Sequence, residues 1–254
     1  MTKFVFELCA ESVEAARAGE FGGADRIELC SQLACGGVTP EPELIAAAVE
    51  AVSIPIHILI RPRAGNFDFS RDEFKQMQRQ IEQAKSLGAA GIAVGVLLSD
   101  GRIDVERSRE LVGQSRPMRV TFHRAFDETP DLSEALEAVI QTGADCLLTS
   151  GGADDVLAGA DAIAQLCRQA GNRLNIMAAG GLRLSNLVRV VRHTGASYLH
   201  GSLTRGSANG IEGPANFGAK LEDDVREAMR LLRNEMKLRS GLDFAVASVE
   251  KIER

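Results

Sequence analysis

A repeated dipeptide constrains the fold of this chain more than any other feature. Glycine followed by alanine stands just before an apolar run at residues 23–24, 88–89, 143–144 and 195–196. A glycine in this position is typical of the left-handed residue that closes a helix, and the runs that follow have the length of buried strands. Each repeat therefore predicts the end of a helix followed by a strand.

Four further apolar segments lie between the repeats, and each precedes a helical pattern of its own. They begin at Phe4, Pro55, Arg119 and Leu174. Apolar residues at helical spacing support two of the helices. These residues are Phe74, Met77, Ile81 and Ala84 after a capping box at Ser70 and Glu73, and Leu221, Val225, Ala228 and Leu232 near the C-terminus. The sequence thus predicts eight strands that alternate with helices.

Eight such units can close into a barrel or open into a doubly wound sheet. Their near-regular spacing favours closure, and the first strand lacks the glycine fingerprint of a dinucleotide-binding sheet. The length of 254 residues suits one barrel domain. We predict an α/β fold with a single (β/α)8 TIM-type barrel over residues 1–254, in which 1–217 hold the strand-helix units and 218–254 a C-terminal helix and tail.

Composition excludes several classes of partner. The net charge is −6, basic residues are scattered, and the chain has no Trp and one Tyr, so nucleic-acid binding is not expected. No apolar run approaches the roughly 20 residues of a membrane helix, and Glu7 interrupts the first apolar stretch. Five cysteines without disulfide-like spacing fit a reducing compartment. We therefore predict a cytoplasmic protein without membrane contact, whose cysteines are free thiols or metal ligands.

The first two strands end in the same tripeptide, Glu-Leu-Cys. In TIM barrels the functional residues lie at the carboxyl ends of the strands. Because side chains alternate along a strand and a buried unpaired charge is unfavourable, we expect Glu7, Cys9, Glu28 and Cys30 to face the barrel interior.

Strands three and five add basic and acidic groups to the same end. Arg61 and Arg63 share one parity, and His57 lies deeper on that parity, so we interpret it as an interior histidine with satisfied hydrogen bonds. His123 is the strongest candidate for a general acid or base, since its ordinary pKa lies near neutrality. Arg124 and Asp127 surround the same strand end. An alternative interpretation is a structural plug of ion pairs.

Strands six to eight end in small and polar residues. Glycines after strands seven and eight expose backbone N–H groups where barrels commonly hold phosphate, and with Arg61 they point to an anionic ligand. The glycines alone are a weak signal, because they also fit sharp turns. The candidate substrate-binding residues from these strands are Ser150, Gly180, Gly181, His200, Gly201 and Ser202.

The two cysteines at the ends of strands one and two form a candidate metal site. Neighbouring strands lie about 4.8 Å apart, so Cys9 and Cys30 at equivalent levels would bring two sulfurs to one soft metal, and thiolates select Cu(I). Cys35 lies in the following loop and offers a third position. The alternative is that these cysteines are small apolar fillers.

Several segments closely resemble the CutC family of copper homeostasis proteins. They are GGADRIELCSQLACGGVTP at 22–40, IRPRAGNFDF at 60–69, VTFHRAFD at 120–127, LLTSGG at 147–152 and LHGS at 199–202. The resemblance implies a cytoplasmic TIM-type barrel that binds Cu(I) through Cys9 and Cys30. It assigns no role to Cys35.

Three functional hypotheses follow. The first is a copper homeostasis protein that binds Cu(I) through Cys9 and Cys30. The second is a lyase or isomerase for a small phosphorylated or carboxylated metabolite. In it Arg61 and the loops at Gly180 and Gly201 hold the anion, Glu28 and His123 exchange protons, and Glu7 orients them. The third is a scaffold whose polar mouth is only a plug. A homodimer is expected from the general prevalence of two-fold oligomers.

Overall fold

The computed structural model describes residues 3–203 and 214–250, with side chains of the last helix described for 217–239. Eight parallel strands pair in chain order and close into a barrel. The strands are β1 Val5–Ala10, β2 Arg26–Leu29, β3 Ile56–Leu59, β4 Gly91–Val94, β5 Arg119–Phe122, β6 Cys146–Thr149, β7 Asn175–Ala178 and β8 Tyr198–Gly201. This confirms the predicted (β/α)8 barrel.

Helices follow the strands and form the outer layer. They are α1 Val13–Gly22, α2 Pro42–Ala51, α3 Arg71–Ser86, α4 Val105–Ser115, α5 Leu132–Thr142, α6 Ala160–Ala170, α7 Leu184–Thr194 and α8 Pro214–Glu250. Short 3-10 turns lie at Leu33–Cys35 after β2 and at Arg124–Glu128 after β5. In the ranges described, no helix is both long and apolar enough to cross a membrane.

The repeated dipeptide has the predicted structure. Gly23 and Gly143 end α1 and α5 with φ of 92° and 81°, in the left-handed region that a residue with a Cβ rarely adopts. In all four repeats a strand begins three residues after the glycine, at Arg26, Gly91, Cys146 and Tyr198.

The predicted helical faces are buried as well. Ser70 and Glu73 form the capping box at the start of α3, and the four apolar residues predicted for that helix are all buried. The face predicted near the C-terminus is buried on α8, which begins at Pro214 rather than at residue 218. A proline is favoured in a first helical turn because its missing N–H has no intrahelical acceptor there. Residues 1–2, 204–213 and 251–254 of the predicted domain lie outside the described residues.

Alternation along the strands separates two layers. Phe6 and Leu8 of β1 join the apolar core between strands and helices, whereas Cys9 belongs to a small interior cluster that also contains Cys30 and Leu59. The predicted inward parity is therefore confirmed for the cysteines.

His57 is an interior residue, as expected, but its bonds are not satisfied. Its Nδ1 is buried and has no hydrogen-bond partner among the described residues. Burial lowers the pKa of His57 to about 4, so the ring is neutral near pH 7. The expectation of satisfied bonds was wrong: charged groups such as Glu7 and Arg26 act on the ring, but none of the described residues forms a hydrogen bond with Nδ1.

Candidate functional site

A cavity of about 170 Å³ opens at the carboxyl ends of the strands. Its lining combines thiols, carboxyl, imidazole and guanidinium groups with glycine-rich loops. The predicted residues that line it are Cys9, Glu28, Cys30, Arg61, His123, Arg124, Gly180, Gly181, His200, Gly201 and Ser202. We call Glu7, Cys9, Glu28, Cys30 and His200 the thiol-carboxylate side, and Arg61, His123, Arg124, Asp127 and Ser150 the guanidinium side.

Strand register decides which groups meet on the thiol-carboxylate side. Cys9 lies opposite Glu28 in the β1–β2 ladder rather than opposite Cys30, so the two Glu-Leu-Cys tripeptides are offset by two residues. The expectation of equivalent levels was wrong, because strands in a closed barrel are staggered. The sulfurs of Cys9 and Cys30 nevertheless lie 3.6 Å apart.

Glu7 lies at the bottom of this side, almost fully buried. Its carboxylate accepts hydrogen bonds from Arg26 Nε at 2.5 Å and pairs with His200 Nδ1 at 2.7 Å. Burial alone would raise the pKa of Glu7, but the Arg26 charge and the His200 hydrogen bond outweigh it and lower the pKa to about 2. Glu7 is therefore a permanent anion that orients the His200 ring.

Glu28 lies nearer the mouth than Glu7, and its pKa is shifted in the opposite direction. Its burial raises the pKa to about 7, and the nearby His200 opposes this shift only in part. Glu28 Oε1 lies 4.0 Å from His200 Nε2 and 3.9 Å from Cys9 Sγ. The charges of Glu28 and Glu7 in turn raise the pKa of His200 against the effect of its burial. Glu28 is thus near its point of protonation at neutral pH, beside an imidazole whose pKa is raised.

The thiols of Cys9 and Cys30 are free and buried. The hydrogen bond with Cys30, burial and the charge of Glu28 together raise the pKa of Cys9 well above the ordinary range. Cys9 Sγ, a Glu28 oxygen and a His200 nitrogen lie within 4.8 Å of one another, which makes them a possible set of metal ligands. Cys35 is exposed, and its thiol donates to the Gln32 carbonyl at 3.0 Å.

Sequence reasoning missed Arg26 on this side. Its guanidinium is largely buried and also lies 3.5 Å from the Met177 sulfur. Arg26 has the same parity as Glu28 and Cys30, so the inward face of β2 reads Arg, Glu, Cys in the sequence. The signal that could have identified Arg26 was a charged residue at a strand position whose side chain faces the barrel interior.

Arg61 anchors the guanidinium side. It is buried, with 6% of its surface exposed, and its terminal nitrogens donate to the carbonyls of Cys35, Gly37 and Gly65. The guanidinium stacks over Phe67 at 4.7 Å. Its Nε is buried and has no acceptor within the described part of the chain.

Arg63 does not line the cavity. The strand β3 ends at Leu59, so its alternation does not extend to this loop residue. The Arg63 guanidinium instead donates to Glu73 at 2.5 Å and to the carbonyls of Asn66 and Asp68. These contacts make Arg63 a brace for the loop between β3 and α3.

His123 is buried beside Arg61 and Phe67. Its Nδ1 accepts a hydrogen bond from the Ala125 N–H at 3.2 Å, which leaves the proton of the neutral ring on Nε2. Burial and the Arg61 charge lower the pKa of His123 to about 3. The Nε2 atom has no partner among the described residues. The ring is therefore a neutral donor, a different state from that of the near-neutral acid or base expected from the sequence.

Asp127 and Ser150 form a closed network behind this side. The Asp127 carboxylate accepts from Thr149 Oγ1, from the N–H groups of Ser150 and Gly152, from Ser150 Oγ and from Arg124 Nε. Every lone pair has a donor, so this part of the mouth fits the structural-plug interpretation. Arg124 also borders the cavity.

The loops after β7 and β8 close the rim. Gly180 has a φ of 93°, and a Cβ on it would lie 3.0 Å from Ser150 Cβ. Glycine is therefore required here by both conformation and close approach.

The closed barrel, with its buried thiols, carboxyls and imidazoles around a small cavity, defines a TIM-barrel protein with a candidate ligand or metal site at the strand ends. A family model gives this class a more specific identity. The model of the CutC family matches residues 4–205, and the chain belongs to this family. The resemblance found in the strand-end motifs is thereby confirmed.

Individual relatives support the same family assignment. A family protein CutC from Mesorhizobium japonicum is 41% identical over 77% of this chain and 76% of its own length. A human protein named copper homeostasis protein cutC homolog is 43% identical over 78% of this chain and 72% of its own length. The crystal structure of a protein assigned as copper homeostasis protein CutC from Streptococcus agalactiae matches with a TM-score of 0.75 at 29% identity, over 79% of this chain and all of that chain.

More distant structures share the fold only. A thiamine phosphate pyrophosphorylase from Pyrococcus furiosus matches with a TM-score of 0.58 at 14% identity, over 92% of this chain and 96% of that chain. This likeness carries no information about the chemistry, since one barrel fold supports many reactions.

Proposed function

We propose that this protein binds Cu(I) through Cys9 and Cys30 as part of copper homeostasis. The observation that carries the proposal is the 3.6 Å separation of two free sulfurs at the edge of the cavity. Soft sulfur ligands favour Cu(I) over hard divalent ions. Membership in the CutC family and the name of the human relative support the same function.

Protons compete with the metal at this site. The raised pKa of Cys9 keeps its thiol protonated near neutral pH, so Cu(I) must displace a proton. Copper affinity is therefore expected to increase with pH. The Glu28 carboxylate and the His200 imidazole lie close enough to Cys9 to add a ligand or to accept the released proton.

The test is a Cu(I) competition titration against a chromophoric chelator under reducing conditions. We expect the Cys9→Ser, Cys30→Ser double variant to lose tight binding and to release no protons on copper addition. Cys35→Ser is the matched control, because Cys35 is exposed and does not line the cavity. Wild-type affinity in the double variant would remove Cys9 and Cys30 as ligands.

A second candidate function is proton-transfer catalysis on a small anionic metabolite, of lyase or isomerase type. It is favoured by Glu28, a cavity carboxyl whose pKa of about 7 suits it to both accept and donate a proton. Glu7 would orient His200, whose Nε2 lies 4.0 Å from the Glu28 carboxyl. Arg61, Arg124 and the loops of Gly180, Gly181, Gly201 and Ser202 would surround the anion. In this proposal His123 acts as a hydrogen-bond donor rather than as a base.

Proton transfer is tested by deuterium exchange. A panel of small carboxylated and phosphorylated compounds is incubated with the metal-free protein in D2O, and exchange or turnover is followed by NMR. We expect a rate with an inflection near pH 7 that is lost in Glu28→Gln. Absence of any reaction across the panel, or an equal rate in Glu28→Gln, would contradict this candidate.

Two further properties remain predictions. The free cysteines support a reducing, cytoplasmic setting, and prevalence alone supports a homodimer. Light scattering of the reduced protein measures the oligomeric state, and fractionation of cells that produce it measures the compartment.

A further inference from the structure

Two residues that line the cavity each have a buried N–H donor without an acceptor among the described residues. In the described part of the chain, six side chains have a buried polar atom with no hydrogen-bond partner, and only Arg61 and His123 among them line the cavity. Both residues are more than nine-tenths buried. A buried donor left without a partner is unfavourable, so two such donors in residues that line one cavity indicate a missing acceptor.

The protonation of the His123 ring is determined by its surroundings. His123 Nδ1 is occupied by the Ala125 N–H, so Nε2 carries the proton of the neutral ring. A Cβ on Gly95 would lie 2.7 Å from His123 Nδ1, so this glycine allows the close approach of the ring. Phe67 contacts both residues, with its ring 5.0 Å from the His123 ring and 4.7 Å from the Arg61 guanidinium.

The positive charge of Arg61 has no ion-pair partner in the ranges described. Main-chain carbonyls of Cys35, Gly37 and Gly65 hold its terminal nitrogens, but carbonyls do not neutralise the charge. Arg124, by contrast, pairs with Asp127 at 2.8 Å. A buried cation without a counter-charge attracts an anion into the adjoining cavity.

We propose that the cavity binds a small oxyanion, in the first place a carboxylate, through Arg61 Nε–H and His123 Nε2–H. Two single N–H donors match the acceptors of a carboxylate, whereas a phosphate group carries three strongly accepting oxygens. The cavity of about 170 Å³ lies below the range of roughly 300–1,000 Å³ for drug-sized ligands, so the ligand is small. The site rests on the second candidate function, because it would hold a substrate beside Glu28, and it is independent of copper.

The experiment is calorimetric titration of the reduced, metal-free protein with malonate, inorganic phosphate and malonamide. We expect saturable binding of malonate and none of malonamide, which has the same shape without the charge. Tighter binding of phosphate than of malonate would support the oxyanion site and identify its ligand as a phosphate. Failure of both anions to bind at about 10 mM, where even millimolar affinity is visible, would overturn the inference.

Variants locate the binding. His123→Phe keeps a ring but removes the donor, and we expect it to weaken malonate binding at least about tenfold, or 1.4 kcal/mol. The matched control is His193→Phe, since His193 is half-exposed, pairs with Asp161 and does not line the cavity. Equal weakening in both variants would contradict a site at His123.

Nitrogen-15 NMR of the imidazoles keeps the inference testable if His123→Phe does not fold. In the wild-type protein near pH 7 the ring of His123 is expected as the neutral Nε2–H tautomer, and malonate is expected to shift its Nε2 resonance. An Nδ1–H tautomer would leave Nε2 without a proton and would rule out the assigned donor.

The outcomes separate this inference from the proposed functions. The Cys9→Ser, Cys30→Ser variant should lose copper and retain malonate, so failure of one site leaves the other untouched. Glu28→Gln should retain malonate and lose proton exchange, so an oxyanion site without catalysis is also recognisable.

Discussion

The two sides of the barrel mouth bury charge in different ways. On the thiol-carboxylate side, Glu7 has two charged or polar partners, yet its neighbour Glu28 stays near its point of protonation. On the guanidinium side, Asp127 is saturated with donors, while Arg61 and His123 keep donors unused. Each side thus combines a closed structural group with an open one.

This difference distinguishes residues that stabilise the barrel from candidate functional residues within a single cluster. In what we call closed groups, such as the carboxylates of Glu7 and Asp127, the hydrogen-bond and ion-pair partners all lie within the protein. Open groups such as Glu28, Arg61 and His123 line the cavity and have a proton or a hydrogen-bond donor that no partner uses. Perturbed and incompletely paired groups in a cleft are the usual mark of a functional site.

The largest loss of stability is expected when Arg26, the ion-pair partner of Glu7, is removed. Arg26→Met leaves Glu7 buried with only His200 as its partner, and we expect a loss of about 3–5 kcal/mol in the free energy of unfolding. The matched control is Arg119→Met at the start of β5. Arg119 is 71% exposed in its pair with Asp145, so its loss should cost no more than about 1 kcal/mol.

Urea unfolding measures both variants. The double variant Arg26→Met, Glu7→Gln should recover part of the loss, because it removes the unpaired charge. If Arg26→Met is no less stable than Arg119→Met, the ion pair does not stabilise the barrel.

The pH dependence of stability tests whether the pKa of Glu28 is raised in the folded protein. The folded pKa of Glu28 is about 7 and its ordinary pKa 4.5, so the folded state holds an extra proton between these values. Its contribution to stability is present below pH 4.5 and lost as the pH rises to 7. Relative to wild type, Glu28→Gln should gain stability over this window, by about 3 kcal/mol at 1.4 kcal/mol per pKa unit.

Unfolding curves from pH 4 to pH 8 measure this difference, with the exposed Glu50→Gln as control. Glu7 acts in the opposite direction, since its lowered pKa of about 2 gives stability that is lost only as the pH falls toward 2. A flat difference between Glu28→Gln and wild type would show that Glu28 titrates normally.

Asp127 tests whether the plug is structural. Asp127→Asn replaces acceptors with an amide N–H2 that faces the donors of Ser150 or Arg124, and we expect a loss of about 2 kcal/mol. Asp100→Asn is the control, because Asp100 is half-exposed in its pair with Arg102. Equal stability of the two variants in urea would mean that the network around Asp127 contributes little.

The smallest effect is expected at Arg63. Its pair with Glu73 is partly exposed, so Arg63→Ala should lower the free energy of unfolding by about 1 kcal/mol or less. Because its guanidinium braces the loop outside the cavity, we expect malonate affinity to stay within about threefold of wild type. A tenfold loss of malonate affinity would place Arg63 at the ligand after all.

The sequence predicted the barrel and most of the lining of its mouth. The repeat at Gly23 and Gly143 marks helix ends whose conformation depends on the missing Cβ, and this is a local property. Inward parity was likewise local, so Cys9, Cys30 and Arg61 were found without tertiary information. The same parity also predicted Arg63 at the mouth, but both arginines follow the end of β3, and the loop directs Arg63 to Glu73 instead of to the cavity.

Only the tertiary structure decided which of these groups are free to act. The stagger of the closed barrel sets Cys9 opposite Glu28, and closure between β8 and β1 brings His200 to Glu7, which lies 193 residues away. The pKa values of Glu28 and His123 follow from burial and from charges on other strands. A residue's type and spacing are written in the sequence, whereas its protonation and its unused hydrogen bonds depend on neighbours that only folding supplies.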